Sequence, residues 1–449
     1  MQLLFLLDPS GRAFTRKEKG LYFLVSAFFI SLFLPDMPVV NNIVIGALLS
    51  FMFFSTTWAQ KGRLLRQRGE ILLMVLFFVL HIVSALLSVN RREGLDMLVL
   101  RLPLLVFPVS LGLYVIREEV KDRILLSYCV VTTLIALACL GYSIWRYRKF
   151  HDAGYLYDDS LSELVRRQSI YIALMVTLAL FSYVYLLSKR VVSSLSGRVL
   201  IWMGMAFLVV FHFMLASRIS IITLYAGLVV YAVAGMIRNG QWLKWSAPII
   251  GLLVVSFTLV KFFPKTLNRF RELNYMDYRF DSHARESHYN MQLTPDQWNG
   301  ANIRLAIWKC GWELAGRHWL TGVPLGDKED RLIEVYRERQ FDFAVQSRRN
   351  MHNNYLDVLC NFGVIGLGVF LLGYFVWPLR NCLRYRDGWG AYIILAFAGA
   401  LVTETWMDKS VGCILLGFFL SFVSACQGKD HLVGIDAPDD AFPGEGRRG

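Results

Sequence analysis

His352-Asn353-Asn354-Tyr355-Leu356-Asp357-Val358-Leu359-Cys360-Asn361-Phe362-Gly363-Val364-Ile365-Gly366 is where the longest polar stretch of this chain ends and a long apolar run begins. Upstream, about Lys265 to Met351, the sequence is charged and aromatic; downstream, apolar residues run to about position 379. A run of that length, poor in charge, crosses a hydrocarbon core as a helix, because backbone groups in lipid must pair within their own segment. The same kind of run recurs along most of the chain. Of its 449 residues 55% are hydrophobic and only 18% charged, and the mean hydropathy is +0.45. This excludes a set of soluble domains.

Twelve spans are expected, at about 21–34, 39–57, 71–88, 98–116, 124–145, 169–188, 198–216, 219–237, 246–263, 354–379, 390–405 and 410–426. The fold class is therefore all-α: a polytopic membrane protein of about twelve transmembrane helices with one large polar loop. The expected organisation is helices 1–9 over 1–263, the loop over 264–352, helices 10–12 over 353–426, and a disordered tail over 427–449, where Gly, Pro and charge dominate.

Orientation follows from the lysines and arginines of short loops. With the N-terminus inside, inner loops carry Lys61/Arg63/Arg66/Arg68, Arg117/Lys121/Arg123, Lys189/Arg190/Arg198, Arg238/Lys244 and Arg380/Arg384/Arg386. Both termini and the tail are then cytoplasmic, and the large loop lies outside. The segment 146–168 breaks the pattern, with Arg146, Arg148, Lys149, Arg166 and Arg167 on the outer side. Positive charge placed against the topogenic rule suits an anion. The formal net charge of +13 reflects orientation first and a partner second, and no nucleic-acid motif accompanies it.

Seven scattered cysteines form no CxxC pair, and only Cys310 lies in the loop, so neither a disulfide within the loop nor a zinc site is expected. Acidic pairs such as Asp158-Asp159 lack metal spacing. No Walker loop, GxSxG or HExxH is present.

Within the loop, Ile303 to Ala315 reads as an amphipathic helix with Leu305, Trp308, Trp312 and Ala315 on one face and Asn302 as its cap. Arg331 to Phe343 reads as a second. Gly322-Val323-Pro324-Leu325-Gly326 is a turn between them.

The chemistry centres on His352, at the N-terminal end of span ten. The positive end of a helix dipole disfavours an imidazolium there and leaves a ring able to accept a proton; the plainer reading is a polar residue closing a loop. Arg218, in the tight turn Ser217-Arg218-Ile219, either snorkels to the headgroups or binds something. Arg101 interrupts span four near its outer end. Arg304 opens the amphipathic helix, and Arg166 and Arg167 precede span six. Glu404 and Asp408, flanking Trp406, could orient His352 or counter an arginine. His212 reads as a buried hydrogen-bonded histidine. Arginines hold phosphate oxygens as a fork and stay charged, so a diphosphate leaving group could be met by them without a metal.

These residues resemble the O-antigen ligase family, within the ligase/polymerase superfamily of bacterial membrane glycosyltransferases. The resemblance rests on His352-Asn353 followed by Gly363-x-x-Gly366, on Arg304-x-x-x-Trp308 ahead of Gly322-Val323-Pro324-Leu325-Gly326, and on Arg218 in a short outer turn. It implies an architecture similar to GT-C-type glycosyltransferases and an inverting transfer of polysaccharide. The donor would be O-antigen on undecaprenyl diphosphate, and the acceptor the lipid A–core oligosaccharide. The place would be the periplasmic face of the Gram-negative inner membrane, among membrane lipids, with no cofactor and no metal. Carried onto this chain, His352 is the general base, and Arg218 and Arg304 hold the diphosphate. Arg167, Arg166, Arg101 and Asn353 are further substrate-binding candidates, chosen by position. The alternatives are an O-antigen polymerase, whose relatives carry two sizeable loops where this chain has one, a protein O-glycosylating relative, and, in another class, a lipid-linked glycan transporter. The even polar distribution and repeat symmetry of a transporter are not evident.

Overall fold

The computed structural model describes residues 14–240, 270–282, 284–287 and 297–427, with isolated positions between 242 and 266. Among them the structure is helical, apart from one isolated bridge between Glu286 and Trp298. Seven helices are long and apolar enough to cross a membrane: Pro38–Ser55, Gly69–Leu87, Glu118–Phe150, Ser169–Ser188, Leu195–Met214, Arg218–Ile237 and Asn354–Arg384. Gly388–Ala400 and Ser410–Ala425 are apolar but shorter, and Arg16–Ser31 opens the bundle. The spans expected at 246–263 and the tail at 427–449 fall largely outside the described residues, so the count of twelve rests on the sequence.

Ser410–Ala425 is buried on every side from Val411 onward, and Ser169–Ser188 nearly so. Helices apolar all round belong at the centre. Pro38–Ser55, with Val39, Ile43 and Phe54 exposed, lies at the rim.

Contacts sort the connections into two ends. At one end Arg166 meets Asp36, the Asp327 carboxylate accepts from the Val89 and Asn90 amides, Arg218 meets Glu272 and His352 meets Glu404. At the other, Arg117 meets Glu18, Lys121 meets Asp387, and Arg68 donates to the carbonyls of Gly112, Tyr114 and Gln427. Loops counted as inner from their charge thus gather at one end, and loops counted as outer at the other.

Span four departs from expectation. The chain forms Arg91–Leu100, turns at Arg101 and Leu102, and resumes as Pro103–Ser110. Pro103 has no N–H to continue the ladder, and the departure from helical geometry falls at Arg101, with φ −89° and ψ 1°. Arg101, at the break, is drawn inward.

Asn354–Leu371 contains a second break. Gly363 adopts φ 62° and ψ −167°, roughly 13 Å along the helix from its start at 1.5 Å per residue. The loop descends to meet it: the Val364 amide donates to Trp319 O at 2.9 Å, and the Val323 amide to Cys360 O at 2.7 Å. Non-helical backbone at that depth is tolerated because protein covers and pairs it. Two glycines with positive φ make the approach possible. A Cβ on Gly363 would lie 2.1 Å from Leu320 O, and one on Gly322 (φ 73°) 2.4 Å from the Phe362 amide nitrogen. The two glycine-bearing motifs are therefore halves of one joint.

The loop helices form as Asn302–Arg317, Lys328–Glu338 and Asp342–Gln346. The first buries Ile303, Ala306, Ile307, Cys310 and Leu314, and Gly311 seats against Met351 and Leu356. Trp312 points out, 62% exposed, so the buried face is rotated from the one expected. Asn302 is not the cap. It is the first helical residue, and Asn299 Oδ1 accepts the Ala301 and Asn302 amides at 2.8 and 3.0 Å. All seven cysteines are free and buried.

Candidate active site

Four segments converge at the loop-bearing end. Asn353 caps the helix Asn354–Leu371, its side-chain oxygen accepting the Leu356 amide at 3.0 Å. His352 precedes it with φ 45°, a left-handed turn residue that swings the imidazole off the helix axis. Its Nδ1 lies 3.0 and 3.1 Å from the two carboxylate oxygens of Glu404. A carboxylate only accepts, so Nδ1 carries the proton and donates. The tautomer is thereby set, and the lone pair remains on Nε2. Both side chains are mostly covered, 20% and 15% exposed.

Glu404 sits between Gly388–Ala400 and Ser410–Ala425. Burial pushes its carboxyl up. The hydrogen bond from His352, the Arg304 guanidinium and the Thr405 amide outweigh that and hold it below the ordinary glutamate range. The anion is the resting form. Of the two acids that the sequence offered to orient His352, Glu404 is the one that meets it.

Arg304, in the first turn of Asn302–Arg317, reaches the same carboxylate at 3.8 Å and donates from Nε to Thr403 O at 3.1 Å. Arg218, the first residue of Arg218–Asn239, pairs with Glu272 at 3.3 Å. Gly300 joins the two arginines: a Cβ there would lie 3.1 Å from Arg218 Nη2, 3.4 Å from Arg304 Nη1 and 2.9 Å from Glu272 Oε2. A side chain there would push the Arg218 guanidinium and the Glu272 carboxylate aside. Arg218, Arg304, His352 and Glu404 thus form one constellation. Sequence reasoning missed Glu272 and Gly300, whose roles depend on a contact between distant segments.

The other candidates lie elsewhere. Arg101 is fully buried in a network with Asp408 at 2.9 Å, Asp357 at 3.3 Å, Met407 O at 3.1 Å and His81 Nε2 at 3.2 Å. Lys328 from the loop joins the same two carboxylates, at 2.5 and 3.4 Å. Two cations meet two anions, so the group is charge-balanced and ties the loop to the bundle. Arg101 neither snorkels nor faces an open anion site, which corrects its choice as a diphosphate ligand. Lys328 and Asp357 were not singled out from the sequence; an ionisable residue inside span ten was the available signal. Arg166 is exposed and paired with Asp36. Arg167 is half-buried ahead of Ser169–Ser188, its Nε without a hydrogen-bond partner among the described residues. Arg146 is paired with Glu163, so two of the five outer cations of 146–168, Arg146 and Arg166, are met by acids within the chain. Asn353 uses its side-chain oxygen as the cap. His212 is buried, its Nε2 2.7 Å from Thr177 Oγ1.

Residues 203–371 match the family model described as O-antigen ligase. The matched stretch takes in Arg218, Arg304, His352, Gly322 and Gly363, the residues on which the resemblance rested, and bears that resemblance out. The match covers less than half of the chain and supports, at a general level, a membrane enzyme of the O-antigen ligase and polymerase type. No curated protein sequence matches the chain.

Proposed function

We propose that the chain is an O-antigen ligase of the Gram-negative inner membrane. It transfers polysaccharide from undecaprenyl diphosphate to the lipid A–core oligosaccharide at the periplasmic face. The observation that carries the reading is the His352–Glu404 pair beside Arg304, with Arg218 reaching the same Gly300. A base whose tautomer is fixed stands next to two permanent forked cations, which is what displacement of a diphosphate by a hydroxyl needs.

In this mechanism the acceptor hydroxyl gives its proton to His352 Nε2 as its oxygen attacks the anomeric carbon. The bond from that carbon to the diphosphate oxygen breaks on the opposite side. A single displacement inverts the configuration. Glu404 stabilises the imidazolium that forms, and Arg218 and Arg304 take up the charge gathering on undecaprenyl diphosphate. His352 then returns its proton to water. The cations supply the electrophilic assistance, so the step is written without a metal. The single dominant loop favours ligase over polymerase.

His352→Ala tests the assignment. In purified, folded protein it should abolish transfer from carrier to lipid A–core. Transfer at near wild-type rate would remove His352 as the base.

A further inference from the structure

The turn Gln297–Asn302 serves two neighbourhoods. Asn299 and Asn302 fix it by reciprocal bonds, the Asn299 amide donating to Asn302 Oδ1 at 2.8 Å. This sets Gly300 against Arg218 and Arg304. The same turn, through Gln297, Trp298 and Asn302, closes a cavity of about 470 Å³ whose other walls include Asp277, Tyr278 and Asp281. That volume lies within the range of small-ligand sites.

The walls are built for hydroxyl groups. Trp298, 2% exposed, donates from Nε1 to Ser282 O at 3.3 Å and packs its ring 5.0 Å from Phe341. Tyr278 stacks over it at 6.4 Å. Trp298 is thus a buried support, and Tyr278, which covers it, is the ring left partly open. Asn302 Nδ2 donates to the Asp277 and Gln297 carbonyls at 3.2 and 3.0 Å, anchoring both walls. Gln297 Oε1 is buried and has no hydrogen-bond partner among the described residues, and such an atom is costly unless a ligand or water meets it. Arg279, also a wall residue, holds both oxygens of Asp281 at 2.9 and 3.3 Å, so the acceptors left to a ligand are the Asp277 carboxylate and Gln297 Oε1. The Asp277 carboxylate and the open Gln297 amide oxygen accept O–H or N–H groups, while the partly exposed ring of Tyr278 suits the C–H face of a sugar ring. With Asp281 neutralised by Arg279, Asp277 leaves the walls net negative, which opposes an anion, and the polar walls oppose an acyl chain.

We propose that this cavity is a glycan subsite, holding a short uncharged sugar segment beside the arginines that take the diphosphate. The proposal rests on the ligase reading of those arginines. The sugar could come from the donor next to its diphosphate or from the acceptor core, and both present the same chemistry.

The test uses full-length protein in detergent and saturation-transfer NMR with two probes. One is core oligosaccharide released by mild acid from cells lacking the protein. The other is polysaccharide released from the carrier lipid of the same cells. One fragment should bind, and its identity names the source. Gln297→Leu should weaken that binding roughly fivefold to tenfold, the worth of about one hydrogen bond, and raise KM for the substrate bearing that sugar while kcat stays nearly constant. Asp277→Asn, on the exposed rim, should act in the same direction and covers a failure of Gln297→Leu to fold. Arg218→Lys should lower transfer and leave fragment binding unchanged. If neither fragment binds, or both cavity variants bind as wild type does, the subsite is overturned although the ligase reading stands. If wild-type protein transfers nothing from a diphosphate donor, the ligase reading falls, and fragment binding still decides the cavity.

Discussion

Replacing Glu404 by glutamine isolates the step that the geometry assigns to a carboxylate. The substitution keeps the shape and removes the charge. In the native protein Glu404 accepts from His352 Nδ1 at 3.0 Å and lies 3.8 Å from Arg304, with 15% of its side chain exposed. Because its carboxyl is held below the ordinary range, the anion is present at neutral pH, and its stabilising effect would fade only as pH falls through that lowered value. A hydrogen bond to a charged partner is worth about 1.5–3 kcal/mol. The partner is charged most fully when the imidazole has taken the proton, so most of that energy is lost in the transition state. At 1.36 kcal/mol per decade the loss is about 10- to 150-fold in kcat, with KM for the donor little changed. The assay is transfer by purified protein in detergent from carrier-linked polysaccharide to lipid A–core, read as a mobility shift on gels. Glu404→Asp, which keeps the charge but shortens the reach, should recover part of the rate. If Glu404→Gln transferred within about twofold of wild type, the carboxylate would have no part in the proton transfer.

Arg218→Lys should lower kcat/KM for the diphosphate donor by about tenfold or more, since a point charge does not replace a fork; unchanged kinetics would return Arg218 to a snorkelling role. Arg101→Met leaves Asp357 and Asp408 with Lys328 alone and should cost about 3–5 kcal/mol, read as a fall in thermal midpoint. An unchanged midpoint would mean that the network does not hold the loop to the bundle. Gly363→Ala places a Cβ 2.1 Å from Leu320 O at φ 62° and ψ −167°, a backbone region that is essentially glycine's own and that alone costs about 1–3 kcal/mol. It should unfold the joint and expose the loop to protease, whereas native protease resistance would contradict the account of the break.

Much of this was legible in the sequence, because membrane spans announce themselves by length and charge. His352 was placed by the polar-to-apolar boundary, and Arg218 by its position in a tight turn. Arg101 shows where such reading stops. Its position near the outer end of span four fitted anion binding, and nothing local revealed that Asp357 and Asp408, more than 250 residues away, would enclose it. Glu404 was visible only as one of two acids beside a tryptophan. Its bond to His352 depends on how the 401–409 connection lies against the start of Asn354–Leu371. The glycines of 322–326 and 363–366 read as motif marks, and their purpose appeared only when each backbone was found against the other. Asn302 and the rotated face of its helix were misplaced because Asn299, three residues upstream, takes over the cap.

The central claim is that this constellation moves long glycan from a carrier lipid to the lipid A–core. Deleting the gene and analysing both lipid pools tests it most directly. The account predicts lipid A–core without polymer, together with long polysaccharide accumulated on undecaprenyl diphosphate, both reversed by the wild-type gene and not by His352→Ala. A core bearing a single repeat unit would mean a polymerase, and normally capped lipopolysaccharide would contradict the account altogether.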